Sequence, residues 1–284
     1  MNMDSSCLVD AIGRVHALAR ADARIVSLVP SVTELLFALG IGDRLAGRTG
    51  FCIHPKGSIK TVPKVGGTKS VDIARIRELA PTHVIVNIDE NEKPTIDQLA
   101  NFIPNVIVTH PLGPLDNLPL YRLLGGIFSR ESRAGELCEA FQKAYVNAVG
   151  ACADLPRERV LYLIWKSPWM TVSRDTYVSR TLAAVGWDTV EIKSKERYPK
   201  IEFTTELVSR VDRVLLSSEP YAFRERHLDE IRQTLAAANH FFVPTALEEV
   251  ESPVIVSLID GEMTSWYGSR AIEGMKYLSR LRTG

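Results

Sequence analysis

No stretch of this sequence reaches the roughly 18 consecutive apolar residues that a membrane-crossing helix requires, so a bilayer-embedded chain is not expected. An excess of charge of either sign is also missing, since Lys plus Arg and Asp plus Glu each count 34. Without a basic run the chain lacks the electrostatic footprint of a nucleic-acid binder, and nucleic acid is not expected as a partner. Cysteine is scarce: Cys7, Cys52, Cys138 and Cys152 show neither C-x-x-C nor Cys/His zinc spacing. Cys138 and Cys152 fall within one expected helix, too far apart to bridge there, so a disulfide framework is not expected. The six histidines contain no i, i+4 pair and Cys52 with His54 makes only half a ligand set, so no metal site is assigned. A nucleophile elbow, a phosphate loop and a dinucleotide glycine fingerprint are all absent, Gly66-Gly67 lacking the third glycine. No catalytic residue is assigned and the chain is not expected to be an enzyme.

What remains is a chain of 284 residues, 45% hydrophobic, long enough for two lobes with separate cores. Arg24-Ile-Val-Ser-Leu-Val29 reads as a buried strand closed by Pro30. A helix follows, with Ser31 three residues ahead of Glu34 in capping-box spacing and Gly40 as its stop. The alternation continues through Leu45–Arg48, a helix from Asp72 over Ile73–Leu79, strand His83–Asn87, a helix over Pro94–Phe102 and a strand from Val106 to Thr109. Ser132–Ala153 then reads as one long helix of about 30 Å. A second half follows: strand Arg159–Trp165, helix Thr176–Val185, strand Thr189–Ile192, helix Thr205–Ser209, strand Arg213–Ser217, helix Arg226–Ala238, strand Phe241–Val243 and a closing helix Ser269–Leu281. Strands alternating with helices predict an α/β fold: two lobes with mainly parallel sheets flanked by helices, joined by one long backbone helix. The expected lobes are residues 1–130 and 156–284, with 131–155 as the connector, and ligands of such folds enter a cleft between lobes.

Two stretches carry a resemblance. Arg24-Ile-Val-Ser-Leu-Val-Pro-Ser-Val-Thr-Glu-Leu-Leu-Phe-Ala-Leu-Gly40 resembles the first strand, turn and helix of the helical-backbone, or class III, substrate-binding proteins. Val65-Gly-Gly67, with Asp72-Ile-Ala-Arg-Ile-Arg-Glu-Leu-Ala-Pro-Thr-His-Val-Ile85, is similar to the next helix and strand of that family. The family includes the periplasmic vitamin B12 and ferric-siderophore receptors. The resemblance implies non-catalytic capture of a corrinoid or metal chelate of the cobalamin or ferric-siderophore type in the cleft. No cofactor is implied beyond such a bound corrinoid or iron chelate, and an ABC permease is the implied partner. A cofactor-handling cytoplasmic enzyme or a ligand-sensing module on the same fold are the alternatives.

By position, the resemblance places Ser31, Phe51, His54, Thr68, Asp89 and Glu90 at the first-lobe side of the cleft. Trp165, Trp169, Tyr198, Glu219, Met263 and Trp266 take the second. Trp165-Lys-Ser-Pro-Trp169 sets two of the four tryptophans just past a strand, where their rings either stack on a flat ligand or pack around Pro168. On the ligand-facing reading, Trp169→Ala is expected to weaken binding and leave folding intact. Asp89 and Glu90 either accept hydrogen bonds from a ligand or form a solvated acidic loop before a helix. Arg270, near the start of the last helix, opposes the helix dipole and calls for a compensating interaction; on the other reading it is exposed. Transport receptors of the family present an acid on each lobe to their permease. Here Ala74 stands at the first of these places, and Ser265 is the nearest match at the second. Met1 to Cys7 has neither a basic nor an apolar leader region, so a chain starting at Met1 is expected in the cytoplasm, and one shorn of a signal segment in the periplasm.

Overall fold

The computed structural model describes residues 8–239 and 254–284, and residues Phe241–Val243, expected as a strand, lie outside them. Two parallel sheets of four strands each organise the chain. The first contains β1 (Ile25–Ser27), β2 (Leu45–Arg48), β3 (His83–Asn87) and β4 (Asn105–Thr109) in the order β2-β1-β3-β4. The second contains β5 (Glu158–Leu163), β6 (Trp187–Thr189), β7 (Arg213–Ser217) and β8 (Ile255–Ile259) in the equivalent order β6-β5-β7-β8. Register is continuous across β3 and β4, from His83 beside Asn105 to Asn87 beside Thr109, and across β7 and β8, from Arg213 beside Ile255 to Ser217 beside Ile259.

The helices are α1 (Pro30–Ala38), α2 (Ile73–Glu78), α3 (Lys93–Ala100), α4 (Asn117–Ile127), α5 (Glu131–Cys152), α6 (Tyr177–Ala184), α7 (Thr205–Val208), α8 (Arg226–Asn239), α9 (Gly261–Ser265) and α10 (Arg270–Thr283). Four of them start on a side-chain cap. Asp72 accepts a hydrogen bond from the Arg75 amide, Thr176 from Ser179, Thr204 from Leu207 and Asp260 from Met263, each satisfying an otherwise orphaned donor. The capping box expected at Ser31 and Glu34 does not form. Pro30, whose fixed φ suits the first helical position, starts α1 two residues earlier with Val29 as N-cap, and Glu34 is engaged elsewhere.

The chain divides into two compact units. Unit 1 gathers the residues up to Pro111, Leu115–Lys143 and Tyr267–Ile272; unit 2 gathers Leu112–Pro114, Ala144–Trp266 and Glu273–Gly284. The chain therefore passes from one to the other inside α5. Each unit has its own core. Val26, Leu28, Val84, Val86, Val106 and Val108 of the first sheet pack with Ile76, Leu99 and Ile103. In unit 2, Leu161, Leu163, Val214, Leu216 and Val256 pack with Leu207, Ile231 and Leu235. Strands buried on both faces explain why they read as continuous apolar runs rather than alternations.

Candidate ligand-binding site

In both sheets the second strand lies to one side of the first, and the third and fourth lie to the other. The connections leaving the first and third strands therefore depart in opposite senses and open a crevice outside their carboxyl ends, the position at which open α/β sheets hold ligands. In unit 1 these ends deliver Pro30 and Ser31 after β1 and Ile88–Asn91 after β3. In unit 2 they deliver Ile164–Trp169 after β5 and Ser218–Tyr221 after β7.

The unit 1 rim is held by a side-chain-built turn. The Asn87 amide donates to Asn91 Oδ1 (2.8 Å), and Asn87 Oδ1 accepts from the amides of Asp89 (2.8 Å) and Glu90 (3.3 Å). Asn91 Nδ2 reaches the Thr68 carbonyl at 3.0 Å, tying the Thr68 loop to the same turn. Lys69 Nζ donates to the Asp89 carbonyl (3.0 Å), and His110 Nε2 lies 3.5 Å from Asp89 Oδ2. Glu90 Oε1 accepts from the buried phenol of Tyr267 at 2.7 Å. Burial first, and then the Glu90 charge, hold that phenol well above its ordinary range. The buried Ser31 hydroxyl lies beside the same phenol without a hydrogen bond of full geometry. Phe51 is 62% exposed, and Ile53 and Ile88 are exposed with it. The Phe51 ring lies against Gly67, and His54 is half-buried.

Cys52 turns away from His54 chemistry: its buried Sγ is 3.1 Å from the hydroxyls of both Thr33 and Thr49, and burial pushes the thiol up. Among the described residues no group of three or more His, Cys, Asp or Glu side chains is arranged to hold a metal ion.

The unit 2 rim is aromatic. Trp165, 40% exposed, meets Tyr221 edge to face at 5.7 Å. Trp169 stacks on Phe223 at 6.2 Å and meets Phe203 edge-on at 5.6 Å, while Tyr221, Phe223 and His227 complete the cluster. Lys166 Nζ pairs with Glu230 at 2.6 Å. Glu219 Oε1 accepts from Trp266 Nε1 (2.7 Å) and Ser265 Oγ (2.8 Å). Burial raises the Glu219 carboxyl above the usual carboxylate range, against the pull of these two donors. Tyr198 is exposed, Trp266 is buried, and Met263 is half-buried in α9.

The structure thus places Ser31 beside the Tyr267 phenol that bonds Glu90, and links Thr68 with the Asp89 turn through Asn91 and Glu219 with Trp266 directly. Sequence reasoning left out Tyr267 as the partner of Glu90, and Tyr221 and Phe223 as the supports of the two tryptophans. The four-residue spacing of Asn87 and Asn91 is the one local signal that could have revealed the turn. Arg270 has the compensating partner that its helix position calls for: a two-pronged pair with Glu34, at 2.8 and 2.7 Å.

A family model described as periplasmic binding protein matches residues 25–240. Vitamin B12-binding proteins of Yersinia pestis (strain Pestoides F) and Yersinia pseudotuberculosis (serotype O:1b, strain IP 31758) are each 24% identical over 206 residues, covering 70% of this chain and 71% of their own. Among solved structures, the periplasmic vitamin B12-binding protein of Vibrio cholerae superposes with a TM-score of 0.75 at 15% identity, covering 91% of this chain and 96% of that one. A periplasmic heme-binding protein from Roseiflexus sp. RS-1 in apo form gives 0.72 at 20% identity, covering 93% and 98%. One from Pseudomonas aeruginosa gives 0.74 at 17%, covering 92% of each chain. At these identities the solved structures share the two-sheet α/β fold.

Proposed function

We propose, from the premise that this chain belongs to the periplasmic binding protein family, that it binds a corrinoid or metal chelate reversibly and without transforming it. One observation carries the reading. Of the thirteen exposed large hydrophobic residues among those described, Phe51, Ile53, Ile88, Trp165 and Tyr198 all lie on loops assigned to ligand contact, where a soluble ligand with a broad apolar face would cover them. Trp165 supplies a ring for stacking and Asp89 an acceptor for amide or amine donors. Glu90 and Glu219, already engaged by Tyr267 and Trp266, shape the rims rather than bind. The names of the relatives, vitamin B12-binding and heme-binding, support a flat tetrapyrrole-type ligand. No cofactor is needed for such capture.

Delivery to an ABC permease belongs to the same reading. Ala74 is exposed on α2, where the resemblance calls for a docking acid, so docking would rest on other surface groups. A permease partner implies action outside the cytoplasmic membrane, which fractionation of the native host tests. Recovery with the cytosol would reject it.

The binding reading is tested by titrating the full chain with cyanocobalamin, hemin and a ferric hydroxamate, followed by visible absorbance and calorimetry. A saturable one-to-one change with one of them, the ligand being recovered intact by mass spectrometry, is expected. Absence of saturable binding to all three would reject the ligand class, and a chemically altered ligand would reject the non-catalytic assignment.

A further inference from the structure

The pairing of two irregular segments in unit 2 places a methionine beside Trp165. Past β5 the chain turns back through Ser167 and Pro168, and Trp165 and Met170 become antiparallel bridge partners, the Met170 amide donating to the Trp165 carbonyl at 3.1 Å. Met170 is in turn the antiparallel partner of Lys200. The Ile201 amide donates to the Trp169 carbonyl (2.9 Å) and the Thr171 amide to the Pro199 carbonyl (3.0 Å). Met170 and Lys200 are therefore flanked by hydrogen bonds rather than joined by them, the kind of pair in which side chains approach most closely. Bridge partners project from the same side, so Trp165, Met170 and Lys200 make one cross-strand row. Burial along the two segments agrees with this. Thr171, Pro199 and Ile201 are buried on one side, whereas Met170 is half-buried and Lys200 exposed on the other. The sequence neighbours of the row face away from it: Trp169 stacks on Phe223, and Lys166 holds its ammonium 5.8 Å from the Trp169 ring while pairing with Glu230.

We infer, resting on the binding reading above, that Met170 is a ligand-contact residue: its thioether, between the Trp165 ring and the methylene stem of Lys200, is the middle of the surface on which the apolar face of the ligand lies. Adjacent members of such a row stand about 4.5–5.5 Å apart, so the three together span roughly 10 Å, wider than a single aromatic ring and suited to an extended flat ligand. A thioether is polarisable and packs well against π systems, and its unbranched chain adapts to an irregular ligand outline. Lys200 lays its stem along the same surface and keeps its ammonium in water. The row is held from beneath by the backbone pairing and by Thr171 Oγ1, which donates to the Tyr162 carbonyl at 2.7 Å. It is therefore formed before a ligand arrives, and little ordering entropy is lost on contact.

The full chain, labelled with carbon-13 at its methionine methyl groups, tests this in titrations with cyanocobalamin and with hemin, beside calorimetry on the same samples. The Met170 signal, identified as the one missing from Met170→Leu, is expected to shift or broaden with whichever macrocycle binds, while that of Met275, buried in α10, stays in place. Met170→Ala is expected to weaken that binding roughly three- to tenfold, and the volume-conserving Met170→Leu to weaken it less. A macrocycle that binds by calorimetry yet leaves the Met170 signal unmoved, or that binds Met170→Ala as tightly as the parent, would overturn the inference and leave the binding reading standing. Binding of the ferric hydroxamate alone would overturn it too, since the row suits a flat ligand. Absence of saturable binding to all three ligands would reject the binding reading itself, and the role of Met170 with it.

Discussion

Trp165 and Trp169 stand four residues apart on one loop and occupy different environments. Trp169, half-buried, packs on the unit 2 core against Phe203 and Phe223, so Trp169→Ala removes that packing and is expected to cost about 2–4 kcal/mol of stability. The sequence-based expectation that this substitution leaves folding intact therefore gives way. Trp165, which meets Tyr221 edge to face and is 40% exposed, is the cleaner probe. Trp165→Ala is expected to change urea-unfolding stability by less than about 1 kcal/mol and to weaken ligand binding by roughly tenfold through lost stacking. Unchanged affinity in calorimetry would remove Trp165 from the site. Glu219 offers a test by pH. Its folded-state pKa is raised by burial, so the folded protein holds that proton more tightly than the unfolded chain does. The contribution is fully present below the ordinary glutamate range and is lost as pH rises through the raised value. Gln at this position can still accept from Trp266 Nε1 and Ser265 Oγ. Glu219→Gln should therefore be more stable than the parent at neutral pH, and the gap should close on acidification in denaturant titrations at several pH values.

At the scale of elements, the strands that sequence reveals best are those whose β-branched residues are buried on both faces: Ile25–Ser27, His83–Asn87, Asn105–Thr109 and Arg213–Ser217. Those it misplaces are governed by neighbours distant in the chain. The strand expected at Thr189–Ile192 forms instead at Trp187–Thr189, because pairing with Glu158–Val160 sets its register. Helix α4 goes unread since Pro119, Gly125 and Gly126 look like loop, yet Gly125 and Gly126 are where Ala134 and Leu8 approach too closely to leave room for a Cβ. Strand β8 goes unread although Pro253 precedes its apolar run and Asp260-Gly261 follows it. In the site, loop positions were legible because they follow strands. The partners of Glu90, Glu34 and Glu219 were not, since they lie 177, 236 and 47 residues away. At the head of β3, His83 is buried against Phe128, and desolvation, aided by the His16 charge, lowers its pKa to about 4. A histidine kept neutral in this way contributes stability above its ordinary pKa of 6.5 that is lost as pH falls toward 4. The loss is at most roughly 3 kcal/mol across that window. His83→Gln should flatten this limb of the stability curve measured by urea unfolding, and an unchanged limb would assign it to other groups.

For the whole molecule, the decisive feature is that unit 1 is not continuous in sequence. Its residues up to Lys143, Leu112–Pro114 apart, are completed by Tyr267–Ile272, a short segment reached only after nearly all of unit 2 has been traversed. That segment brings in the Tyr267 phenol on Glu90, the Gly268 amide on Asn117 Oδ1 at 2.6 Å, the Gly268 carbonyl accepting from Tyr121 at 2.8 Å, and the Arg270 fork on Glu34. Asn117 and Tyr121 are buried and Glu34 is mostly so, so a chain ending at Lys143 loses several hydrogen bonds made at buried polar groups, each loss costing about 1 kcal/mol or more. Against the roughly 5–15 kcal/mol that stabilises a typical domain, such losses are large enough to prevent a fixed tertiary structure. The fragment of residues 1–143 is therefore expected to keep far-UV helical signal from α4 and the first part of α5 but to lose near-UV ellipticity and amide protection in the first sheet. Arg270→Ala in the full chain removes the Glu34 pair and should lower urea-unfolding stability by about 2–4 kcal/mol while the fold survives. A fragment of residues 1–143 with native near-UV signal and protected β1 and β3 amides would show that the returning segment is dispensable, and that the two cores fold as their order in the sequence suggests.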